Sequence, residues 1–591
     1  MNLPSMVSKA KSRDNQTMFL GYNHNLVCGE NEFYDMKNMT GDFCPVMSPR
    51  VRRAKLDINL INPQGLLAKG ALAWVDDGCF YYGNRLIGEL NKKIEGDRQL
   101  ISMGAYICIF PDKYRYNTSN GEFICLEHEW KASGDVQIQI CTIDGETVEP
   151  DDGRVITDKP EEPQNGDYWI DESGESSVLK CYSEATDEWV SVATTYVKIR
   201  ADGIGRGFKR LDAVDIGNIP KSTDIEEGSY PIWSLDDDYI VITALIKGSA
   251  TIEYDEENPL TVKRSVPELD YVVESENRLW GCRWDGEINE IYACAQGDAT
   301  NWNKFLGTTQ DSYRLGVGSD GVFTGAAVQQ GYVMFFKENV IHKIYGSKPT
   351  NYQITNVTGR GIMQGSSKSA VIVNETLYYL SKNGVCQYGG GTPISIYAPF
   401  GRERYSDAAA GKNGDKYYIS MRNKKGDYNL FCFDETLNMW FREDNTQVKF
   451  FAEDKGNLYF INSKNELWVT DSENYDEEYA KCSEKEPSFE WFAESGDIGI
   501  QQPDSKRYSD IQIRLSMSPG AQVSIYTQYD SDGIWVEQEV LKNREKGSYT
   551  VNINTPKVDH FKIKICGKGE AKIYSISKWY EAGSEVRGNG Y

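Results

Sequence analysis

Histidine is scarce in this sequence, and the motifs that accompany it in many catalytic and metal sites are missing. Only four histidines occur in 591 residues, at positions 24, 128, 342 and 560, and there is no CxxC or HExxH pattern. The common zinc spacings are therefore excluded. The nucleophile pattern GxSxG and the phosphate loop GxxxxGK[ST] do not occur either. We predict no cofactor, no metal site and no enzymatic activity.

Long apolar runs and positive charge are also in short supply. No window approaches the roughly 18 apolar residues of a membrane span, and the first 27 residues lack the apolar core of a signal peptide. We expect neither membrane insertion nor secretion by that route. Lys and Arg number 64 against 88 Asp and Glu, a net charge of −24, which argues against nucleic acid as the main partner. The 13 cysteines are an odd number at least 12 positions apart, and we expect them to be reduced and mostly buried.

Two motifs look like ligand loops, and we interpret both as turns. Gly316, Gly318 and Gly321 spell GxGxxG, but a strand pattern follows where dinucleotide binding needs a helix. The sequence DSDG at 530–533 resembles the start of a calcium loop, yet its glycine comes two positions early and Leu541 occupies position 12. A hairpin turn is the preferred interpretation, with a surface calcium site as the alternative.

Short apolar strands paired across polar turns recur along the chain. Examples begin at residues 278, 332, 377, 416 and 458, and include VMFF and LYYL between Asn-Gly, Asp-Gly or Lys-Asn turns. Paired strands at a period of about 40–50 residues indicate propeller blades, with unrelated hairpins in sandwiches as the alternative. The 37 Tyr, 13 Trp and 54 Gly favour the same all-β class.

Breaks in this pattern predict four regions. Residues 1–125 hold an N-terminal segment and the first blades, and residues 126–265 an acidic insertion with a small β module at about 160–197. Further blades follow in 266–485. Residues 486–591 alternate with period two, as in HFKIKICG, and predict a β-sandwich. Residues 144–197 contain 15 acidic and 3 basic residues, half of the net charge.

Two groups of residues are candidate binding sites. The basic cluster SPRVRRAK contains Arg50, Arg52, Arg53 and Lys55. Its guanidinium groups are suited to gripping carboxylates of a neighbouring subunit, and the alternative is a solvated surface strand. Trp169 and Trp189 lie in the small β module. They are suited to stacking on a sugar of a host surface glycan, and the alternative is that they form the core of a small sheet.

The sequence resembles virion proteins of tailed bacteriophages, of the tail-hub or tail-stabilisation (nozzle-like) type. The resemblance is carried by FLGYNHNLVCGENEFYDMKNMTGDFCPVMSPRVRR at 19–53, GDATNWNKF at 297–305, the module at 163–192 and the ending DHFKIKICGKGEAKIYSISKWYEAGS. In that family such an opening phrase precedes a β-propeller. The matching segments and their surroundings cover about two thirds of the chain, and none is a catalytic signature.

The resemblance implies a structural part of the phage tail. It implies a homo-oligomeric ring, sixfold or threefold, around the DNA ejection channel, beside other tail or connector proteins and with DNA only in transit. The protein would be made in the host bacterial cytoplasm and reside in the virion. The leading alternative is an adhesin that binds a host surface glycan. Two further alternatives are a polysaccharide-degrading enzyme and an intracellular propeller scaffold.

Overall fold

The fold is described by a computed structural model that covers residues 11–148, 158–174, 177–475, 477, 481–502, 504–553 and 555–582. Within these residues the chain is built from antiparallel strands, which confirms the predicted all-β class. The helices in the same ranges are short 3-10 turns: Lys221–Thr223, Pro349–Asn351, Ser367–Ser369 and Ala398–Phe400. No helix in this part of the chain is long and apolar enough to cross a membrane.

The chain divides into two compact units, which are described separately. The first comprises Met1–Arg98, Gly321–Lys343 and Thr355–Tyr591, and the second comprises Gln99–Asp320 and Ile344–Ile354.

Four sheets that lie wholly or mainly in the first unit are up-and-down meanders in chain order, which is the strand arrangement of a propeller blade. Their inner strands are apolar on both faces, and LYYL at 377–380 is at most 1% exposed. The strands are Pro63–Ala68, Leu72–Asp76, Cys79–Tyr82 and Arg85–Glu89; Gly325–Gln329, Tyr332–Lys337, Val340–Tyr345 and Gln353–Thr358; Val371–Val373, Thr376–Ser381, Gly384–Tyr388 and Ile394–Ser395; Tyr405–Asn413, Lys416–Asn423, Tyr428–Asp434 and Met439–Asp444.

A fifth sheet of this unit joins strands that are far apart in the sequence. Ala54–Asn59 pairs with Glu466–Val469 on one side and with Cys482–Lys485 on the other. Val448–Asp454 and Asn457–Asn462 complete the sheet. Leu56 and Ile58 point into the core and Asp57 and Asn59 into solvent, as expected for a period of two. The blade therefore needs a strand from the N-terminal region.

The C-terminal sandwich also takes strands from the N-terminal region. One sheet has the order Ser12–Gln16, Ala571–Ala582, Lys506–Met517 and Gly547–Asn552. The other has the order Phe33–Lys37, Glu490–Ser495, Phe561–Lys568, Gln522–Tyr529 and Val536–Lys542. Phe561, Ile563 and Ile565 are buried as the alternation predicts. The sandwich predicted for residues 486–591 lacks these two N-terminal strands, because a local periodicity cannot assign a strand to a distant partner.

The second unit contains two further blade-like meanders and a separate pair of sheets. The meanders are Gln99–Met103, Tyr106–Phe110, Tyr114–Asn117 and Phe123–Cys125, and Tyr271–Ser275, Arg278–Trp284, Asn289–Ala293 and Tyr313–Gly316. Between them in sequence lie one sheet of His128–Lys131, Thr261–Arg264, Ala213–Gly217 and Gly228–Pro231, and one of Ser234–Asp236, Tyr239–Thr243, Tyr196–Arg200, Val136–Cys141 and Ala250–Ile252. A three-stranded sheet, Tyr168–Asp171, Val178–Ser183 and Glu188–Ser191, is nested within this insertion.

Candidate functional sites

The segment that carries much of the resemblance, residues 19–53, is here called the N-terminal strap. It contributes to one apolar core shared with the strands of 371–444 and with the sandwich. The backbone N–H of Tyr22 donates to the carbonyl of Trp440 at 2.6 Å, and Met47 exchanges two backbone hydrogen bonds with Ile573 at 2.9 and 3.1 Å. At Gly21 a Cβ would overlap the carbonyl oxygen of Trp440, so only glycine allows this approach. The strap is thus an internal part of the first unit.

Arg50 and Arg53 at the end of the strap are buried, at 6% and 4% exposure. Arg50 binds Glu486 through two parallel hydrogen bonds of 2.7 and 2.8 Å. Arg53 donates to Glu443 at 2.5 Å and to Asp444 at 2.8 Å. Their guanidinium groups are used inside the chain, which differs from the intermolecular role predicted for them. The physical reason is that buried arginine requires carboxylate partners, and this fold supplies three of them.

The charges in this network are strongly coupled. Burial by itself lowers the pKa of Arg53, but the carboxylates of Asp444, Glu443 and Glu486 outweigh burial and raise it above its usual value. Burial raises the pKa of Asp444, and the two guanidinium groups more than reverse this, giving a pKa of about 2. Arg53 and Asp444 are therefore ionised near neutral pH, and removing either would leave an uncompensated buried charge.

The two other basic residues of the cluster remain at the surface. Arg52 is exposed, and its only ion pair within the described residues is a loose one with Glu473 at 4.0 Å. Lys55 is partly exposed and donates to Glu466 at 2.8 Å, and this hydrogen bond is the main cause of a Glu466 pKa of about 2. Arg52 is thus the residue of the cluster whose cationic group is most available to another molecule.

A groove of about 200 Å³ lies beside Arg52 in the first unit. Its wall includes Pro49 from the strap, Phe489, and the turn residues Pro519 and Glu570 of the sandwich. The groove combines apolar surface with one exposed cation and one carboxylate, and so has the chemistry of a small docking surface for a protein segment.

In the second unit, Trp169 and Trp189 lie on the same face of the three-stranded sheet. Their rings meet edge to face at 5.5 Å, and Tyr182 lies 5.5 Å from Trp189. Both tryptophans are half-buried. Lys180, on the same face, lies 5.3 Å above the Trp169 ring and forms a 2.6 Å ion pair with Asp171.

The opposite face of this small sheet supplies its buried residues. Ile170 and Leu179 are 1% and 3% exposed and belong to the main apolar core of the insertion. The two tryptophans are therefore not the core of the sheet, and both remain partly exposed, with the ammonium groups of Lys159 and Lys180 at 5.2 and 5.3 Å from the Trp169 ring. They and Lys180 form a surface that we call the aromatic face, consisting of Trp169, Lys180, Tyr182 and Trp189.

The segment 297–305, which also contributes to the resemblance, forms an internal brace in the second unit. Asn301 donates to Asp212 at 3.0 Å and to Asp298 at 2.6 Å, and Arg264 holds Asp212 at 2.6 Å. Trp302 is 1% exposed. The sequence pattern here is explained by buried hydrogen bonding.

A group that the sequence analysis did not connect lies at one end of the sandwich. The Ser531 hydroxyl oxygen is 2.9 Å from Nε2 of His560, and Nδ1 of His560 is 2.9 Å from a carboxylate oxygen of Asp559. The available signal was the pairing of Tyr529 with Phe561, which places the turn at 530–533 next to His560. Local sequence does not reveal that pairing, so the sequence alone shows Ser531 only as part of a hairpin turn.

No protein-family model and no curated protein matches the sequence. Similar solved structures include BamB from Moraxella catarrhalis, at 10% identity over 73% of this chain and 99% of that chain, with a TM-score of 0.33. An exo-beta-1,3-galactanase from Phanerochaete chrysosporium has 9% identity over 52% and 94%, with a TM-score of 0.20. A glycoside hydrolase family 43 arabinoxylan arabinofuranohydrolase from Bacillus subtilis has 9% identity over 53% and 95%, with a TM-score of 0.17.

These neighbours correct one prediction from the sequence. We predicted that the chain is not an enzyme, and the presence of several glycoside hydrolases among the similar structures contradicts that exclusion. The prediction relied on missing linear motifs, which do not capture sites assembled from distant residues. The low identities and TM-scores assign no substrate or active site to this chain.

Proposed function

We propose that this protein is a structural component of a bacteriophage tail, assembled as a ring of identical subunits around the DNA ejection channel. Ring assembly requires a subunit that keeps its shape under load and offers a defined contact to its neighbour. The observation that carries the proposal is the N-terminal strap, the segment of the phage-like opening phrase. Its residues pack against the blades of the first unit, and its strand Phe33–Lys37 pairs within the sandwich.

The contact surface that we assign to assembly is Arg52 with the adjoining groove. Arg50 and Arg53 are committed to internal carboxylates, whereas the Arg52 guanidinium group is exposed. A carboxylate on a neighbouring copy would form a charge-assisted hydrogen bond with Arg52, while an apolar side chain would cover Phe489. The net charge of −24 supports the role by disfavouring adhesion of passing DNA.

Electron microscopy of the purified protein, with its mass measured in solution, tests this proposal. We expect closed rings with an open axial channel. Arg52→Glu should leave each subunit folded and reduce ring formation, because it places a carboxylate against a carboxylate. Arg85→Glu, at another exposed arginine of the first unit, is the matched control and should assemble normally. A uniform monomer in the presence of its neighbouring tail proteins would contradict the proposal.

A second candidate function is supported by the aromatic face. Sugar rings stack on exposed tryptophan, and the flanking Lys180 and Asp171 could hydrogen-bond to hydroxyl groups. An adhesin role for this face predicts binding of the full chain to a glycan array. Trp189→Ala should abolish that binding. Trp284→Ala, at an exposed tryptophan elsewhere in the second unit, should not. Equal binding by both variants would exclude this face.

A further inference from the structure

The end of the sandwich that carries Ser531 and His560 has a geometry that the proposed tail function does not use. A turn at residues 530–533 follows the strand Gln522–Tyr529. Asp559 and His560 directly precede the neighbouring antiparallel strand Phe561–Lys568. Ser531, His560 and Asp559 thus form a continuous chain of hydrogen bonds, with 2.9 Å at each link.

One tautomer of His560 connects the three groups in the direction that catalysis needs. The carboxylate of Asp559 can only accept, so Nδ1 of a neutral His560 carries the proton and donates to it. Nε2 then presents its lone pair to the Ser531 hydroxyl at 2.9 Å, which is closer than the 3.3 Å from that hydroxyl to its other acceptor, the Asp497 carboxylate. This is the arrangement in which a histidine can withdraw the proton from a serine nucleophile.

The backbone holds the three groups in place. Oδ1 of Asp530 accepts hydrogen bonds from the N–H groups of Asp559 and His560 at 2.8 and 3.2 Å. The Asp530 N–H donates in return to the His560 carbonyl at 3.1 Å. Because Asp530 has these partners, its carboxylate braces the turn, which agrees with the hairpin turn preferred from the sequence.

Ser531 has a conformation that is unusual for serine. Its φ is +52°, and that of Asp530 is +45°, so two successive non-glycine residues lie in the left-handed region. Such backbone is disfavoured for L residues and is adopted in tight hairpin turns, as at Glu276–Asn277 and Asn374–Glu375 in the same chain. Here it leaves Ser531 exposed, while only 16% of the His560 side chain is exposed. The hydroxyl group is therefore open to solvent and its base is shielded.

Two charged groups complete the surroundings. A carboxylate oxygen of Asp497 lies 3.7 Å from Nε2 of His560 and 3.3 Å from the Ser531 hydroxyl. Lys562 lies 3.7 Å from the same carboxylate and offsets part of its charge. A positive charge that forms on His560 during proton transfer is consequently stabilised by Asp559 and Asp497.

We propose that Ser531, His560 and Asp559 act as nucleophile, general base and orienting carboxylate in the hydrolysis of a short, solvent-accessible carboxylic ester. The Ser531 oxygen bonds to the ester carbonyl carbon as Nε2 of His560 takes the hydroxyl proton. The ester C–O bond breaks, and the alcohol leaves with that proton. Water then attacks the acyl-serine, gives a proton to His560 and releases the carboxylic acid, and Ser531 regains its proton.

The substrate class follows from the position of the turn. Residues 530–534 are all exposed, so the ester approaches from solvent and only a small acyl group is needed to reach the serine. Acetyl esters exposed on a polymer or on a small alcohol have this form. The inference stands apart from the ring proposal, because it depends on a single subunit and on none of the strap residues.

The test uses the full-length protein, 4-nitrophenyl acetate as substrate and a fluorophosphonate as covalent probe. We expect one probe adduct, located by peptide mass spectrometry on Ser531. Ser531→Gly suits the positive φ and should stay folded while losing both the adduct and hydrolysis above buffer. His560→Gln should lower the rate about a hundredfold or more. Asp559→Asn should lower it less.

A matched control separates this chemistry from general surface reactivity. Ser548 is an exposed serine on another strand of the same sandwich, and Ser548→Ala should leave adduct and rate unchanged. Circular dichroism of each variant checks the fold. Absence of an adduct on Ser531, or hydrolysis that survives Ser531→Gly, would overturn the proposal and leave the cluster a structural brace of the turn.

Discussion

An arginine pair in the first unit and a tryptophan pair in the second unit have burial that their residue types alone would not predict. Arg50 and Arg53, the most hydrophilic kind of side chain, are buried in the first unit at 6% and 4% exposure. Trp169 and Trp189, among the most apolar, remain half-buried on a surface of the second unit. The comparison shows that the partners available in the fold decide burial when residue type alone would suggest the reverse.

The energetic reasons for the two outcomes differ. The arginines are buried because Glu443, Asp444 and Glu486 accept hydrogen bonds from their terminal nitrogens, so that desolvation is offset by charge-assisted hydrogen bonds even though Nε of Arg53 is left without a partner. The tryptophans stay outside because a three-stranded sheet has one face to bury, and Ile170 and Leu179 already occupy it. The arginines are buried by specific carboxylate partners, whereas the tryptophans stay at the surface because the small core has no room for them.

Removing one buried arginine should have the largest effect. Arg53→Ala removes the nearer cation from the buried carboxylates of Glu443 and Asp444 and leaves them only Arg50, at 3.9 and 3.6 Å, so we expect a loss of about 3–5 kcal/mol in the free energy of unfolding. Urea denaturation followed by circular dichroism measures it. Arg52→Ala is the control one position away and should change stability by less than about 0.5 kcal/mol, because that side chain is exposed. Equal effects would mean that the buried network is not stabilising.

Truncating a buried side chain of the small sheet should have the second-largest effect on stability. Ile170 is 1% exposed, and Ile170→Ala removes apolar contacts with the core of the insertion. A loss of about 2–5 kcal/mol is typical of such a cavity. The measurement is the urea transition of the second unit, monitored by protection of its amide hydrogens from exchange. Unchanged protection of Val197 and Ile199, which belong to the same core, would contradict this assignment.

Acid should weaken the arginine network in a defined range of pH. The pKa of Asp444 is about 2 in the fold and 3.8 is its ordinary value, so the folded state favours the ionised form. The resulting stability is present above pH 3.8 and is lost as pH falls from about 4 towards 2. The contribution is about 2 kcal/mol. The difference in thermal stability between the unmodified protein and Asp444→Asn should shrink across this range, and a difference independent of pH would contradict the prediction.

The all-β class and the period-two strands were predictable because they depend on local sequence. Alternation alone places Phe561, Ile563 and Ile565 on one face, and the structure buries all three. Pairing between distant segments was not predictable in this way. Nothing local in Ala54–Asn59 indicates that it pairs with Glu466–Val469, or that Phe33–Lys37 pairs with Glu490–Ser495.

The candidate sites were harder to predict for the same reason. A basic run has the same sequence whether its side chains face solvent, a carboxylate of another subunit or a distant carboxylate of the same chain. Arg53 is of the last kind, because its partner Glu443 is 390 residues away. The cluster of Ser531 and His560 likewise exists only once two strands are paired. Spacing motifs detect sites within one segment, whereas these sites are assembled from several.

Truncating the half-buried Trp189 should have the smallest effect on stability, which sharpens the comparison with Arg53. Trp189→Ala removes edge-to-face contacts with Trp169 and Tyr182 on a surface that is already hydrated. We expect a loss of about 1 kcal/mol, the usual worth of such aromatic contacts. Circular dichroism during urea denaturation provides the value. A loss as large as that of Arg53→Ala would mean that the aromatic face is a second core, and its proposed role in glycan binding would lose its structural basis.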